Sequence, residues 1–228
     1  MSSPLTAVMF DLDGTLLDTA PDFVMALNQL RRDYNKEGLP FNVIREQVSN
    51  GAAALVTLGF DCTTEDKTFA PLRQQLLDHY LHGIGKETRF FPGIETLLQD
   101  LKNKGVPWGI ATNKPRLYTE ALLKKINFPT PPNFVVCPDD VVNRKPHPES
   151  LILAAKHLKV DCQNILYLGD HRRDIECGND AGATTIACGY GYIDANDPAE
   201  SWLADFLVQH SEQLPDLVHH LLMQSRDR

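Results

Sequence analysis

The chain contains no apolar run that approaches the ~20 residues a membrane-spanning helix needs, so no such helix is expected. Its start, from Met1 to Thr6, has no basic residue, and the first apolar stretch is broken at once by Asp11 and Asp13, so no secretory leader is expected. Cysteine is sparse. The five thiols (Cys62, Cys137, Cys162, Cys177, Cys188) are odd in number and form no Cys-x-x-Cys pair. A disulfide framework is therefore not expected, and reduced thiols in a cytoplasmic protein are. Cys177 and Cys188 lie near His171, but at a spacing that matches no zinc pattern. Positive charge is also short: 22 Lys and Arg stand against 30 Asp and Glu, a net charge of −8. Nucleic acid and anionic membrane select for clustered cations, so neither is expected as a partner. No repeat or low-complexity stretch is visible, and nothing in the pattern fixes an oligomeric state.

With 43% hydrophobic residues, the chain can bury a core. Short apolar runs recur at Ala7–Phe10, at residues 106–111 and 134–137, and at residues 165–168, with weaker ones at 184–187 and Phe206–Val208. Continuous apolar runs bounded by turn residues suit strands buried on both faces of a parallel sheet. Amphipathic stretches at residues 93–104, 116–125, 148–158 and 172–181 alternate with them. Pro148 suits the first turn of its helix, and Gly105 and Gly182 suit helix C-termini. The alternation predicts an α/β fold with a doubly wound, Rossmann-like parallel sheet. Residues 18–85 break it. They show no convincing strand, and residues 21–34, 42–48, 52–58 and 67–81 carry apolar residues at helical spacing. A small all-helical domain inserted after the first strand is expected there, with residues 1–17 and 86–228 forming the core and Pro92-Gly93 a hinge on the return limb.

The first strand runs into Asp11-Leu12-Asp13-Gly14-Thr15. On an extended chain, residues i and i+2 share a side, so Asp11 and Asp13 are expected to face one site. Two close carboxylates need a cation or a shared proton, which leaves a Mg²⁺ site, an acid/base pair, or both open. A solvated turn and a calcium loop are rival readings. The calcium loop fits poorly, because Gly14 is fourth rather than sixth and follows a strand. The second strand runs into Thr112-Asn113-Lys114, and the fourth into Gly169-Asp170 with Asp174 beyond; Lys145 sits in a loop that Pro146 and Pro148 stiffen. In open parallel sheets, ligands bind outside the carboxyl ends of the strands, where these loops would converge.

The motifs Asp11-Leu12-Asp13-Gly14-Thr15, Thr112-Asn113, Lys145-Pro146 and Gly169-Asp170 with Asp174 resemble, in order and spacing, the four motifs of the haloacid dehalogenase superfamily. They span residues 11 to 174. The helical insert resembles the cap of the subfamily that contains phosphoglycolate phosphatases. The stretches 48–52, 108–115, 136–139 and 189–193 resemble the branch that includes N-acetylmuramic acid 6-phosphate phosphatases.

The resemblance implies a Mg²⁺-dependent phosphomonoesterase acting on a small phosphorylated metabolite. Asp11 would be the nucleophile that forms an aspartyl-phosphate, and Asp13 the general acid and then base. Mg²⁺ would be held by Asp11, Asp170 and the backbone carbonyl of Asp13, with Asp174 joining directly or through water. Thr112, Lys145 and the Asn113 N–H would bind phosphoryl oxygens. Asn50 and Gly51 would reach over the site from the insert or form an ordinary interhelical turn. Arg172 and Arg173 would contact substrate or, the favoured reading, simply charge a helix surface. A sugar-phosphate mutase of the same fold and a non-catalytic phosphate or metal sensor are the alternatives. A net charge of −8 then poses a question, since the expected substrate is itself an anion.

Overall fold

The first strand, β1 (Ala7–Phe10), is AVMF with every residue buried, as a strand covered on both faces must be. The computed structural model describes residues 5–224, so both ends of the expected core, including the first residues of its Met1 start, lie outside the described residues. After a two-residue strand β2 (Leu17–Asp18), the chain enters four helices: α1 (Ala20–Asp33), α2 (Phe41–Arg45), α3 (Gly51–Phe60) and α4 (Phe69–Gly83). It returns through β3 (Arg89–Phe90) to α5 (Ile94–Asn103), β4 (Trp108–Ala111), α6 (Arg116–Leu123), β5 (Phe134–Val136), α7 (Glu149–Leu158), β6 (Ile165–Gly169), α8 (Arg172–Ala181), β7 (Thr184–Cys188), β8 (Phe206–Val208) and α9 (Leu214–Gln224).

Six strands form one sheet in the order β5-β4-β1-β6-β7-β8, and every pairing in it is parallel. The chain winds to one side of β1 through β4 and β5, then crosses to the other side for β6 to β8. This is the doubly wound Rossmann-like α/β sheet expected from the apolar runs. The reversal of strand order places β1 at the centre, and the loops after β1, β4 and β6 open into the crevice at that switch point. Phe10 and Trp108 pack edge-on across β1 and β4 at 5.9 Å. Gly109 is required beside them: a Cβ there would lie 2.6 Å from the Phe134 carbonyl oxygen and 2.8 Å from Met9 Sδ.

Several expected boundaries shift for local reasons. The second long strand begins at Trp108 rather than at residue 106, because Pro107 has no N–H to pair. Pro148 stands one residue before α7 rather than inside its first turn. The helix expected over 42–48 shortens to α2 and passes through turns into α3. The antiparallel pair β2–β3, with Leu17 opposite Phe90 and Asp18 opposite Arg89, was not expected; two-residue strands carry no periodicity to detect.

The two limbs that lead into and out of the four helices are tied at this ribbon. Buried Asp22, in the first turn of α1, accepts from Gly85 N at 2.7 Å, Glu87 N at 2.8 Å and Thr88 Oγ1 at 2.7 Å. Tyr192 Oη accepts from Thr19 N and Ala20 N at 2.6 and 2.8 Å and donates to Asp18 Oδ1 at 2.8 Å. Among the described residues, no helix is long and apolar enough to cross a membrane. Replacing Asp22→Ala strands three donors that had a charged acceptor. It is expected to lower stability by about 2–4 kcal/mol, read as a fall in the urea midpoint at unchanged slope.

Candidate active site

Asp11 is the first residue beyond β1, and its N–H still pairs with Leu168 O at 2.8 Å, so the strand ladder fixes its backbone. Lys145 reaches it from the loop before α7. The Lys145 Nζ lies 2.7 Å from Asp11 Oδ1 and 2.7 Å from Asp174 Oδ1, and donates also to Ala111 O at 2.8 Å and Tyr167 Oη at 3.0 Å. Lys145 is only 3% exposed. Burial works against its charge, but Asp11 and Asp174 outweigh burial and hold it protonated above the ordinary lysine range. Asn113 clasps the backbone of this lysine: its Nδ2 donates to Lys145 O at 3.0 Å and its Oδ1 accepts from Lys145 N at 3.2 Å.

Asp170 follows β6 and Asp174 sits in the first turn of α8, its carboxylate accepting from His171 N at 3.1 Å. Carboxylate oxygens of Asp11, Asp170 and Asp174 all lie within 4.8 Å of one another, and all three residues are buried. Asp170 has no cationic partner among the described residues. Thr15 Oγ1, Ser49 Oγ and Tyr192 N donate to it at 3.1, 3.0 and 2.9 Å. Burial, with Asp11 and then Asp174 adding to it, pushes the Asp170 carboxyl up to about 7. Burial likewise raises Asp11 to about 6, against the pull of Lys145. Gly14, at φ +84°, lets the chain turn against this cluster; a Cβ there would stand 2.0 Å from Asp170 Oδ2.

Asp11 and Asp13 both line one cavity, as expected, but Asp13 reaches it from a tight loop rather than from an extended strand. The strand ends at Phe10, Asp13 bridges to Leu17, and Gly14 N donates to Leu17 O at 2.9 Å. The tight loop turns the Asp13 carboxylate to a different cation, Lys114 at 2.9 Å, and to Thr19 Oγ1 at 2.6 Å. Its side chain is not part of the buried acidic trio. Lys114 carries no role in the sequence reading, although it stands inside Thr112-Asn113-Lys114; nor do Thr15, Thr19, Ser49 or Tyr192.

Asp11, Asp13, Lys114, Lys145 and Asp174 line a cavity of about 530 Å³, together with Thr112, Asn50, Gly51 and Arg173. Thr112 Oγ1 accepts from Lys114 N at 3.1 Å, which leaves its own O–H to donate. Asn50 and Gly51 come from the inserted helices. His171 Nδ1 accepts from Arg173 N at 3.2 Å, which leaves Nε2–H facing Asn50 Oδ1 at 3.3 Å. Burial, with Arg173 beside it, lowers His171 to about 4, so this ring is neutral. Arg173 donates to the Ser49 carbonyl, whereas Arg172 pairs with Asp197. His147 Nδ1 accepts from Glu149 N, ordering the Lys145 loop.

Residues 8–188 match the haloacid dehalogenase-like hydrolase family. The chain belongs to that family. An N-acetylmuramic acid 6-phosphate phosphatase of Pseudomonas aeruginosa is 39% identical over 96% of both chains. A phosphoglycolate phosphatase of Xanthomonas campestris is 34% identical over 91% of this chain and 94% of its own. Both relatives are named phosphatases, and this chain is a phosphatase of the family. The crystal structure of a predicted phosphoglycolate phosphatase from Haemophilus somnus superposes with a TM-score of 0.82, covering 94% of this chain and 98% of that one. At 23% identity, that likeness speaks for the fold alone.

The uncompensated charge at Asp170 has a measurable consequence. In a chelating buffer, Asp170→Asn keeps the hydrogen-bond acceptor but removes a buried charge that repels Asp11 and Asp174. The variant is expected to be more stable than wild type by about 1–3 kcal/mol, or about 2–4 °C in Tm for each kcal/mol. A lower Tm would contradict this account of the cluster.

Proposed function

We propose that the chain is a Mg²⁺-dependent phosphomonoesterase that works through an aspartyl-phosphate on Asp11. The observation that carries this reading is the buried ammonium of Lys145 against Asp11, beside an acidic trio it cannot neutralise alone. The donor set fits Mg²⁺. It is all oxygen and carries more negative charge than its one ammonium offsets, and burial disfavours leaving that charge unpaired. Asp11, Asp170, Asp174 and the backbone carbonyl of Asp13 would hold the ion. When bound, it supplies positive charge that screens Asp11 from the anionic substrate and withdraws electrons from the phosphoryl oxygens.

In the first step, a carboxylate oxygen of Asp11 attacks phosphorus and the bond from phosphorus to the ester oxygen breaks. Asp13 gives its proton to the departing alkoxide, which leaves as the alcohol. In the second step, Asp13 takes a proton from water as that water attacks phosphorus. Inorganic phosphate departs, Asp11 returns to a carboxylate and Asp13 is protonated again. Thr112, Lys145 and the Asn113 N–H position and stabilise the phosphoryl oxygens, and such positioning with charge neutralisation is the main source of rate in phosphoryl transfer.

Residues 18–85 are read as a helical cap over a core of residues 1–17 and 86–228. The all-helical run from α1 to α4 and the crossing at β2–β3 support that division. The substrate is proposed to be a small phosphorylated metabolite of the N-acetylmuramic acid 6-phosphate or phosphoglycolate type. Near full-length identity to phosphatases favours hydrolysis over a mutase or a sensor. A cavity of about 530 Å³ with apolar walls at Phe23, Val48 and Leu77 is roomier than a two-carbon acid needs, which favours the sugar phosphate. Five free thiols suit a cytoplasmic enzyme.

Phosphate release measured with and without Mg²⁺ tests the mechanism. Asp11→Asn is expected to lose activity by about 10³-fold or more, and chelation to abolish it in wild type. Equal turnover in variant and wild type would sink the nucleophile assignment. A higher kcat/KM on phosphoglycolate than on N-acetylmuramic acid 6-phosphate would overturn the substrate preference.

A further inference from the structure

Lys114 is 8% exposed, and a lysine that deep is normally paired. Its Nζ donates to Asp13 Oδ1 at 2.9 Å and Oδ2 at 3.2 Å, and to Tyr80 Oη at 2.8 Å. The ammonium has three hydrogens, and these three acceptors occupy them. Lys114 is therefore engaged before any substrate arrives, unlike a cation left open to grip a phosphate. The nitrogen also lies 4.9 Å from the Phe23 ring centre and 4.6 Å from that of Tyr80, within the range of cation–π attraction. Phe23 on α1 and Tyr80 on α4 stack on each other at 3.8 Å, only 6° from parallel. Burial pushes the Tyr80 hydroxyl well above its ordinary range, so it meets the ammonium as a neutral phenol.

We propose that Lys114 is a positioning residue for Asp13, fixing the plane of its carboxylate and anchoring it to the helices inserted after β2 through Phe23 and Tyr80. The inference rests on the acid/base reading of Asp13. Without Lys114, Asp13 keeps one side-chain partner, Thr19 Oγ1 on Oδ1. A single contact to one oxygen leaves the carboxylate free to turn about its last bond, whereas a donor shared by both oxygens does not. Proton transfer needs the acid within hydrogen-bond reach of the leaving oxygen, so this freedom lowers the rate rather than the affinity. No proton leaves Lys114 itself; the proton on the departing alcohol is the one from Asp13.

A residue that acts only through the acid matters only when the leaving group needs a proton. An alkoxide does; p-nitrophenolate leaves as a stable anion. kcat/KM covers the steps up to alcohol release, so it isolates the acid half of the cycle. The test compares wild type with Lys114→Met, Tyr80→Phe and Asp13→Asn. The substrates are p-nitrophenyl phosphate and whichever of N-acetylmuramic acid 6-phosphate or phosphoglycolate wild type turns over faster. The alkyl-to-aryl ratio of kcat/KM is expected to fall about tenfold or more in Lys114→Met and Asp13→Asn, and about threefold in Tyr80→Phe. The alkyl loss is expected in kcat, with KM nearly unchanged.

Equal losses on both substrates in Lys114→Met would mean a structural or phosphate-gripping role and would overturn the inference. An unchanged ratio in Lys114→Met beside a fallen one in Asp13→Asn would overturn it too, while leaving the acid/base reading intact. An unchanged ratio in Asp13→Asn would overturn that reading, and the inference with it. If circular dichroism shows Lys114→Met unfolded, Tyr80→Phe decides, and an unchanged ratio there overturns the proposal.

Discussion

The buried ammonium of Lys145 is the interaction on which the site depends. It binds Asp11 beyond β1, Ala111 at the end of β4, Tyr167 within β6 and Asp174 on α8. One nitrogen thus joins three neighbouring strands at the edge where they end. Desolvating such a charge is costly, and breaking a buried pair by removing one partner costs about 3–5 kcal/mol because the other charge is left exposed to low dielectric. The arrangement holds only because the sheet order puts β1 between β4 and β6, and because Asn113 clasps the lysine backbone on both sides. The geometry of the site is in this sense a property of strand order, with side chains added.

That dependence explains what was legible in the sequence. Asp11, Thr112 and Asp170 could be placed because each directly follows an apolar run, and a parallel sheet sends the ends of all such runs to one edge. Asp174 followed instead from its place in the first turn of the helix after Asp170. The partners of Asp170 and Asp13 could not be found this way. Thr15 reaches Asp170 across 155 positions, Ser49 across 121, and Lys114 reaches Asp13 across 101. No local pattern encodes a contact at that range. The common site of Asp11 and Asp13 was legible, but the loop that carries Asp13 there was not. Strand periodicity was carried past Phe10 into a loop that folds back on Leu17.

Two lysines divide the work of the site. Lys145 is central and faces the trio, and Lys114 is lateral and faces Asp13 and the aromatic pair of α1 and α4. Under the proposed mechanism, the division separates two demands that conflict. A nucleophile beside a phosphate needs positive charge near it, whereas an acid needs its proton kept within reach of the leaving oxygen. The tight turn gives each carboxylate its own cation, Lys145 for Asp11 and Lys114 for Asp13, even though only Leu12 lies between them in the chain. Gly14 is what makes the turn compatible with Asp170, since any Cβ would collide with that carboxylate.

The net charge of −8 can now be weighed locally rather than globally. The four carboxylates of Asp11, Asp13, Asp170 and Asp174 outnumber the two ammonium groups of Lys114 and Lys145, so the site holds an excess of two negative charges when all are ionised. That excess equals the charge of one divalent cation. Under the proposed mechanism, ion and carboxylates cancel, and the phosphate meets a neutral floor with Arg144 and Arg173 along the cavity wall. Without the ion, burial answers the same excess by raising Asp11 and Asp170 toward neutrality. The acidity of the chain therefore does not oppose an anionic substrate. Part of it lies at the strand ends, where a divalent ion would cancel it before a phosphate arrives.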